Sequence, residues 1–384
     1  MKCGPSLSER IRSRFGSNFF ISLKALVALF VLFLPAVFAV ICANRFADSL
    51  YGPMAGVLEP ALSAMNSWPS LLAALFAGNY GLMAMFPFLI IYAIPTILVF
   101  SFFIEIYRTS GLIDQISLAL QPLFRPLGLG SHELVRVIMG FGCNVPAIVS
   151  SRTCHGCSRG ACVSAISFGS ACSYQLSSTL AVFAAVGMAG LGVAYMLILG
   201  LTTVIYLRYT TPKALRLITD KPVDIPVRSL RKPSWQSAFR ETSKTCKQFI
   251  LSAFPVFVII CFLAALLDWL SVLDWFYNAI APALALFNLP GEAASAVVLG
   301  AIRKDGIAVG LLENGGEGLK VAINTPVQVL TAVYLAGVVL PCLVTVCTIV
   351  REISWKFAAR LCARQMIWAS GFGVVIAWGG ALLT

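Results

Sequence analysis

The sequence predicts an all-α, polytopic helical membrane protein of about seven spans, arranged as an inverted internal repeat with broken or re-entrant helices. Three observations lead to this prediction: the composition, a series of long apolar segments, and two similar stretches of sequence. Of the 384 residues, 59% are hydrophobic and 11% are charged, and the mean hydropathy is +0.88. A soluble protein of this length needs more polar surface than these residues provide. The chain is therefore expected in a lipid bilayer.

Several apolar segments have about the 20 residues that a helix needs to cross a bilayer. The first segment follows Arg10, Arg12 and Arg14, as the apolar part of a signal peptide would. However, it is too long and lacks a clear cleavage site, so we interpret it as a retained anchor. The predicted spans are 19–43, 82–107, 161–186, 188–207, 248–268, 323–350 and 365–383.

The formal net charge of +12 comes from basic residues in the predicted loops. They are densest between residues 211 and 247, which hold nine Lys and Arg residues against three acidic ones. Loops rich in Lys and Arg remain in the cytoplasm. The sequence therefore predicts a multi-pass protein of the bacterial inner (cytoplasmic) membrane with a cytoplasmic N-terminus. Membrane lipid is the expected partner, and nucleic acid is not.

Similar features recur along the chain at one constant spacing. Gly140 and Gly300 have this spacing, as do Tyr174 and Tyr334. Chance similarity among apolar residues is the alternative. The repeat favours four parts: residues 1–79 (cytoplasmic tail, first anchor and external segment), 80–210 (first repeat), 211–247 (basic cytoplasmic loop) and 248–384 (second repeat).

The predicted orientation inverts the second repeat relative to the first. With residues 211–247 in the cytoplasm, the span that contains Pro87 runs inward and the span that contains Pro255 runs outward. The amphipathic segments 112–127 and 274–289 are too short to cross a bilayer. Inverted repeats place their substrate near the middle of the membrane, where broken helices expose backbone groups.

The first candidate site is the stretch around Cys143 and Asn144. Gly140, Gly142 and Pro146 are incompatible with a regular helix there. Free carbonyls, a thiol sulfur and an amide oxygen are suitable ligands for a borderline-soft divalent cation. The alternative is a glycine motif that packs helices around an inert buried cysteine.

The matching stretch of the second repeat contains Arg303, Lys304 and Asp305 in an apolar region. A charge within a membrane costs about 2.5–3.5 kcal/mol on insertion scales, so such residues usually pair or line a hydrated pathway. We expect Lys304 and Asp305 to act as gate or pairing residues. An exposed loop is the alternative.

A cysteine cluster formed by Cys154, His155, Cys157 and Cys162 has the spacing of metal and redox sites. It could be an accessory metal site at the cytoplasmic mouth, or an incidental grouping. The chain has no Gly-Lys dipeptide, and hence no Walker A loop. With only two histidines and no nucleophile paired with a base, the sequence indicates neither a nucleotide site nor an enzyme.

The stretch Gly140-Phe141-Gly142-Cys143-Asn144-Val145-Pro146-Ala147, followed by Arg152-Thr153, resembles the membrane (gate) domain of the bacterial ferrous iron transport protein B (Feo) family. Lys304-Asp305, Pro341-Cys342 and Arg351-Glu352 resemble later elements of that family, and the likeness covers roughly residues 80–384. It implies a permease with Fe²⁺ as the transported substrate. The metal ligands would be Cys143, Asn144, Cys172 and Cys342, and the gate or pairing residues would be Glu105, Lys304, Asp305 and Glu352.

The chain departs from that family in several places. The family's acidic residue before Ser-Gly is here Arg108, with Glu105 one turn earlier, and the cluster from Cys154 to Cys162 is not part of the family's usual pattern. Cys172 lies in Ala171-Cys172-Ser173-Tyr174-Gln175, whereas the family has Ser-Cys-Gly-Ala-Arg. The family's GTP-binding domain is not found before the first span. We therefore expect either a separately encoded GTP-binding subunit or a small Feo accessory protein as partner, or transport without nucleotide. A gate-domain transporter of nucleosides or another organic solute is the alternative function, a non-transporting metal sensor is a third, and homo-oligomerisation is left open.

Overall fold

The computed structural model describes residues 94–124, 127–154, 156–188, 190–212, 230–304, 306–308, 310–311 and 325–382, with parts of 24–83. All regular elements within these residues are helices, which confirms the predicted all-α class. The described portion before residue 84 includes helix α1, Ser70–Phe76. Parts of the predicted spans 19–43 and 82–107 lie outside the described residues.

The first half of the molecule contains short helices separated by breaks. Gly111 and Gly128 have positive φ angles of 76° and 74°, which glycine adopts without steric cost, and they lie in the turns after α2 and after α3. The helices are α2 Ile94–Thr109, α3 Leu112–Phe124, α4 Ser131–Gly142, α5 Asn144–Ser150, α6 Gly156–Gly169, α7 Ser173–Ala185 and α8 Leu191–Thr210.

The second half begins with a long helix and then repeats the short ones. Side chains of Ser234, Thr325 and Ser354 accept hydrogen bonds from backbone N–H groups three residues later, which fixes the start of α9, α13 and α15. The helices are α9 Trp235–Trp269, α10 Val272–Leu284, α11 Ala294–Ile302, α12 Gly306–Ala308, α13 Pro326–Val338, α14 Leu343–Glu352 and α15 Trp355–Ala381.

Several helix boundaries recur at the spacing that separates Gly140 from Gly300. α2 and α9 end at Thr109 and Trp269, and both bounds of α10 are those of α3 moved by this spacing. The positive φ angles of Gly111 and Gly128 recur at Ser271 and Asn288, both with φ of 53°. The sequence spacing thus has a counterpart in the backbone, while the inverted orientation of the halves stays a prediction.

The constant spacing does not extend to the two tyrosines. Tyr174 lies in the first turn of α7, whereas Tyr334 lies in the middle of α13. The corresponding breaks before α7 and α14, at Cys172 and Cys342, are farther apart in sequence than Gly140 and Gly300, because the second half has a longer connection before α13. Tyr174 and Tyr334 are therefore not equivalent positions.

The described residues contain three helical segments long and apolar enough to cross a bilayer: Leu191–Thr210, Pro326–Glu352 and Trp355–Ala381. Cys261–Trp269 and Val272–Phe287 meet these criteria together but bend by 83°. The predicted span 161–186 is not continuous, because residues 170–172 separate α6 from α7. Three to four candidate spans are therefore present in this part of the chain.

The outer helices present apolar side chains at helical spacing. On α8, Val193, Leu197 and Leu201 are 69%, 69% and 61% exposed, and they lie four positions apart on one face. An exposed face of this kind is unfavourable in water and favourable against lipid. Together with the candidate spans, it identifies a multi-pass membrane protein.

The long helix α9 packs along α2 and connects the two halves. Its 35 residues span about 52 Å at 1.5 Å per residue, well beyond a hydrocarbon core of about 30 Å. Phe239 of α9 contacts Phe102 of α2 with a ring-centroid distance of 5.0 Å, and the backbone N–H of Arg231 donates to the carbonyl of Ser110 at 3.0 Å. The basic beginning of α9 is thereby fixed beside the end of α2.

We predict that Gly300→Ala destabilises the protein, because the new Cβ would lie 2.6 Å from the backbone oxygen of Ala336 on the adjacent α13. Overpacking of this kind costs about 1–3 kcal/mol. Gly200→Ala is the matched control, because a Cβ there meets no atom within 4 Å. Thermal unfolding in detergent should show a lower Tm for Gly300→Ala only. Equal Tm values for the two variants would contradict the close crossing of α11 and α13.

Candidate functional site

Four breaks in the helices converge on one region of the molecule. Cys143 separates α4 from α5 in an extended conformation, with φ −155° and ψ 131°. Arg303 ends α11 in nearly the same conformation, with φ −146° and ψ 141°. Cys172 lies in the break before α7, and Cys342 caps the start of α14. Since α5 contacts α14 and α12 contacts α7, breaks from both halves lie side by side.

The region brings together three of the predicted metal ligands. Cys172 and Cys342 lie close enough to Cys143 to interact with it electrostatically, and Lys304 interacts with Cys172 and Cys342. Within the described residues, no three His, Cys, Asp or Glu side chains are close enough to hold one metal ion. The three cysteines thus lie in one region without forming a metal-binding group, and a cation bound by all three would require their sulfurs to move together.

Asn144, the fourth predicted ligand, is buried beside Cys143 with 5% of its surface exposed. Its Oδ1 atom has no hydrogen-bond partner among the described residues. A Cβ on Gly140 would lie 3.2 Å from this oxygen and 2.6 Å from the Cβ of Ser170, so glycine leaves space for the amide. A buried acceptor without a donor costs about 1–3 kcal/mol. An amide oxygen in this state is a suitable ligand for a cation.

Lys304 follows the break of α11 and is 4% exposed. Its Nζ donates to the carbonyl oxygens of Ala336, Gly337 and Leu340 at 3.3, 2.8 and 2.6 Å. These carbonyls belong to the end of α13 and the break after it, where a helix lacks its own donors. The ammonium group of Lys304 thus provides hydrogen-bond donors for carbonyl oxygens that the break after α13 leaves without backbone partners. Asp305, the adjacent predicted gate residue, lies outside the described residues.

Two buried amides, which the sequence did not single out as site residues, form hydrogen bonds near the same breaks. Gln365 of α15 accepts a hydrogen bond from Ser167 at 2.7 Å and donates to the carbonyl of Val338 at 2.7 Å. Gln175 of α7 donates to the hydroxyl of Tyr195 at 2.7 Å. A single amide within an apolar span was the available signal for Gln365. Ser167 and Ser170 serve this packing, since Ser170 donates to the carbonyl of Val137 at 2.6 Å.

Glu352, a predicted gate or pairing residue, joins the two halves by an ion pair. Arg152 donates to both of its carboxylate oxygens, from Nε and from Nη2, at 2.6 Å each. Arg159 of α6 approaches the same carboxylate at 3.4 Å. The hydrogen bond from Arg152 and the nearby negative charge raise the pKa of the Arg152 guanidinium. The pair, which we call the cytoplasmic clamp after the side on which the predicted orientation would place it, connects the segment after α5 to the end of α14.

The predicted cysteine cluster is only partly within the described residues. Cys154 and Cys162 are in contact, and their hydrogen bond is the main reason that the pKa of the Cys154 thiol is lowered. The Cys162 thiol is buried and lies 3.7 Å from the carbonyl oxygen of Glu133. His155 and the side chain of Cys157 lie outside the described residues, so the metal role of the cluster stays a prediction.

A polar cavity of about 400 Å³ is lined by Cys143 and Gly142 at the first break. Thr153, which follows Arg152 of the clamp in sequence, also lines it. Glu105 of α2, a predicted gate or pairing residue, also lines the cavity and forms an ion pair of 3.4 Å with Arg108. The cavity gives the broken helix at Cys143 a polar surrounding that the sequence did not predict.

We predict that Lys304→Met lowers the free energy of unfolding by roughly 1–3 kcal/mol, because buried carbonyl oxygens of α13 would lose their donor. Lys244→Met is the control, because Lys244 is exposed and its pair with Glu241 is a surface pair. Unfolding in mixed micelles monitored by tryptophan fluorescence measures both. A Lys304→Met variant as stable as the unmodified protein would show that desolvation of the ammonium offsets its hydrogen bonds.

Comparison with known proteins finds relatives that this chain matches over only part of their length. Fe(2+) transporter FeoB of Legionella pneumophila (strain Philadelphia 1) is 28% identical over 185 residues, which are 47% of this chain and 24% of that protein. FeoB of Methanocaldococcus jannaschii is 27% identical over 327 residues, or 75% of this chain and 47% of that protein. A Porphyromonas gingivalis fusion of Fe(2+) transport protein A with FeoB is 38% identical over 64 residues, 17% of this chain and 8% of that protein.

The chain therefore spans about half or less of the length of these relatives, and it matches their membrane part. No solved structure matches it. The family description "Gate: Nucleoside recognition" matches residues 90–189 and 250–356, together more than half of the chain. The starts of the two matched segments have the same spacing as the repeated helix boundaries. The chain belongs to the Gate (nucleoside recognition) family.

Proposed function

We propose that this protein is an inner-membrane permease for ferrous iron or a similar divalent metal ion. The observation that carries the proposal is the meeting of Cys143 with Cys172, Cys342 and Lys304 at breaks from both halves. The relatives named Fe(2+) transporter support the choice of metal. Thiol sulfur and amide oxygen suit a borderline-soft cation such as Fe²⁺.

The unsatisfied oxygen of Asn144 would provide one ligand for the cation. The cysteine sulfurs would provide others once α5 and α14 move closer together. Each thiol would release its proton when it binds the metal, because the thiolate is the ligand form. Four or fewer protein ligands leave space for water, so the cation need not lose its whole hydration shell at once.

Lys304 would control access to the carbonyl oxygens at the end of α13. Those oxygens attract a cation, and in this structure the ammonium occupies the position beside them. A metal ion that approaches Cys342 would be repelled by the ammonium until Lys304 moves away. The ammonium group of Lys304 would thus block the path of the metal ion on the side of the second half. It would have to move away during transport.

The cytoplasmic clamp would close the other end of the path. It links a segment of the first half to α14 of the second half, so movement between the halves must break it. Such alternating exposure of a central site to two sides is the usual mechanism of transporters with inverted repeats. The orientation predicted from the basic loop of residues 211–247 places this clamp on the cytoplasmic side.

A partner that controls this movement would act through the clamp or the basic beginning of α9. The relatives are longer than the matched region, and one is a fusion with Fe(2+) transport protein A. We therefore propose a GTP-binding subunit or a small Feo accessory protein as the partner. Co-purification of the full chain with such a protein, before and after reversal of basic charges in residues 230–247, would test this.

Transport of a nucleoside is the second candidate function. The name of the family supports it, as does a polar cavity whose volume of about 400 Å³ lies within the range of small-molecule sites. A nucleoside would not bind at the thiols or at Asn144, so it would not compete with Fe²⁺ there. Uptake of a labelled nucleoside that excess adenosine or uridine inhibits, and that Mn²⁺ or Cd²⁺ does not inhibit, would favour this candidate over the metal.

We predict that Cys143→Ser and Cys342→Ser each reduce Fe²⁺ uptake into proteoliposomes about tenfold or more, because a hydroxyl is a poorer ligand than a thiolate for this cation. The double variant tests redundancy between the two sulfurs. Cys347→Ser is the matched control, because Cys347 lies close to Cys342 in sequence, on α14, and is exposed. Unchanged Fe²⁺ uptake by the double variant would refute the ligand assignment.

We also predict that Glu352→Gln opens the cytoplasmic clamp more often, because the side chain loses the charge that attracts Arg152 and Arg159. Labelling of Cys143 by a membrane-impermeant thiol reagent added from the cytoplasmic side should become about fivefold faster, as expected for a loss near 1 kcal/mol. Mass spectrometry of the Cys143 peptide gives the rate. Arg351→Gln, the exposed neighbour, serves as control, and equal rates in both variants would exclude a gating role for Glu352.

A further inference from the structure

The polar cavity beside Cys143 has acidic and basic groups that the proposed transport site does not use. α2 contributes one face, on which Ser101, Ile104, Glu105 and Arg108 follow one another at helical spacing. Asp114 at the start of α3 and Glu241 near the start of α9 complete its acidic lining. These groups share the cavity lining with Cys143.

Glu105 is the most buried acidic group of this lining, with 6% of its surface exposed. Its Oε2 atom pairs with Nε of Arg108 at 3.4 Å, while its Oε1 atom has no hydrogen-bond partner among the described residues. A buried carboxylate oxygen without a donor costs free energy unless a cation or another donor reaches it. Glu105 lines the cavity, so a turn of its side chain would bring this oxygen to a cation there.

The other charges leave the lining slightly acidic. Glu105, Asp114 and Glu241 face the cavity with Arg108 and Arg136, which gives three acidic groups against two basic ones. Arg136 donates to the carbonyl of Ser150 and the hydroxyl of Thr153, so its guanidinium is held at the end of α5. Glu241 also pairs with Lys244 at 2.6 Å and with Arg240 at 3.8 Å. Glu105 is therefore the carboxylate of this lining that combines deep burial with an unsatisfied oxygen, since its one ion pair, with Arg108, engages Oε2.

We infer that this cavity is a second cation site, at which Glu105 holds a partly hydrated divalent metal ion between the cytoplasmic side and Cys143. The inference rests on the proposed metal transport only for the direction in which the ion moves. Binding of the ion at Glu105 does not depend on that proposal. Carboxylate oxygens suit hard divalent cations. Since no three acidic side chains in the described residues are close enough to hold an ion together, the ion keeps water ligands.

The dimensions of the cavity agree with a hydrated ion. Six water molecules at about 30 Å³ each take up roughly 180 Å³, less than half of the cavity. Arg108 acts as the internal competitor, because its guanidinium occupies the position beside Glu105 that a cation would take. Its side chain is 67% exposed, so it can turn towards solvent when a metal ion arrives. Loss of Arg108 should therefore strengthen binding at this site.

Titration of the full-length protein in nanodiscs with Mn²⁺, followed by electron paramagnetic resonance, tests the inference. Glu105→Gln should weaken Mn²⁺ binding at least tenfold, and Arg108→Gln should strengthen it at least threefold. Glu292→Gln is the matched control, because Glu292 is exposed and does not line the cavity. A Glu105→Gln variant with a Kd within twofold of the unmodified protein would overturn the inference.

A second variant and a second metal separate this inference from the proposed function. If Glu105→Gln does not fold, Asp114→Asn in the same lining should weaken Mn²⁺ binding at least threefold, and an unchanged Kd would overturn the inference. The soft ion Cd²⁺ should bind Glu105→Gln normally but lose its affinity in the Cys143→Ser, Cys342→Ser double variant. Intact Cd²⁺ binding in that double variant would refute the thiol site alone, whereas intact Mn²⁺ binding in Glu105→Gln would refute the carboxylate site alone.

Discussion

The structure depends on one constraint: a helix that breaks inside an apolar environment leaves backbone groups that water cannot satisfy. Lys304 meets this constraint for the end of α13 by donating to three carbonyls, and Gln365 meets it for the neighbouring carbonyl of Val338. The side chains that satisfy the breaks come from other helices. The relative positions of α11, α13 and α15 are therefore fixed by hydrogen bonds as well as by packing.

The two halves break a helix with the same extended backbone conformation but place different side chains at the break. Cys143 and Arg303 occupy corresponding extended positions, each at the end of a short helix. The first break presents a thiol and the amide of Asn144, whereas the second presents a guanidinium and the ammonium of Lys304. A binding site built from both halves is consequently asymmetric. Three of the four proposed ligands, Cys143, Asn144 and Cys172, come from the first half, whereas Cys342 and the charge of Lys304 come from the second.

In the proposed mechanism, movement and binding would be coupled, because the same elements contribute to both. The segment after α5 contains Arg152 of the cytoplasmic clamp, and α5 itself begins at Cys143. The end of α14 contains Glu352, and α14 begins at Cys342. A displacement of α5 relative to α14 would therefore change the distance between the two thiols and strain the ion pair. Close glycine contacts, such as that of Gly300 with Ala336, limit the directions in which these helices can move.

The sequence by itself determined the helical class, the membrane environment and the breaks near Cys143 and Arg303, because hydropathy and the placement of Gly, Pro and charged residues act locally. It also identified Cys143, Asn144 and Lys304 as unusual within apolar surroundings, while Glu352 was identified through the resemblance to the Feo family. Only the tertiary structure decided that Lys304 serves the carbonyls of α13, that Glu352 pairs with Arg152, and that the cavity beside Glu105 reaches Cys143. It also showed that Tyr174 and Tyr334 are not equivalent positions and that the predicted span 161–186 is interrupted. These features depend on contacts between residues distant in sequence, which no local pattern specifies.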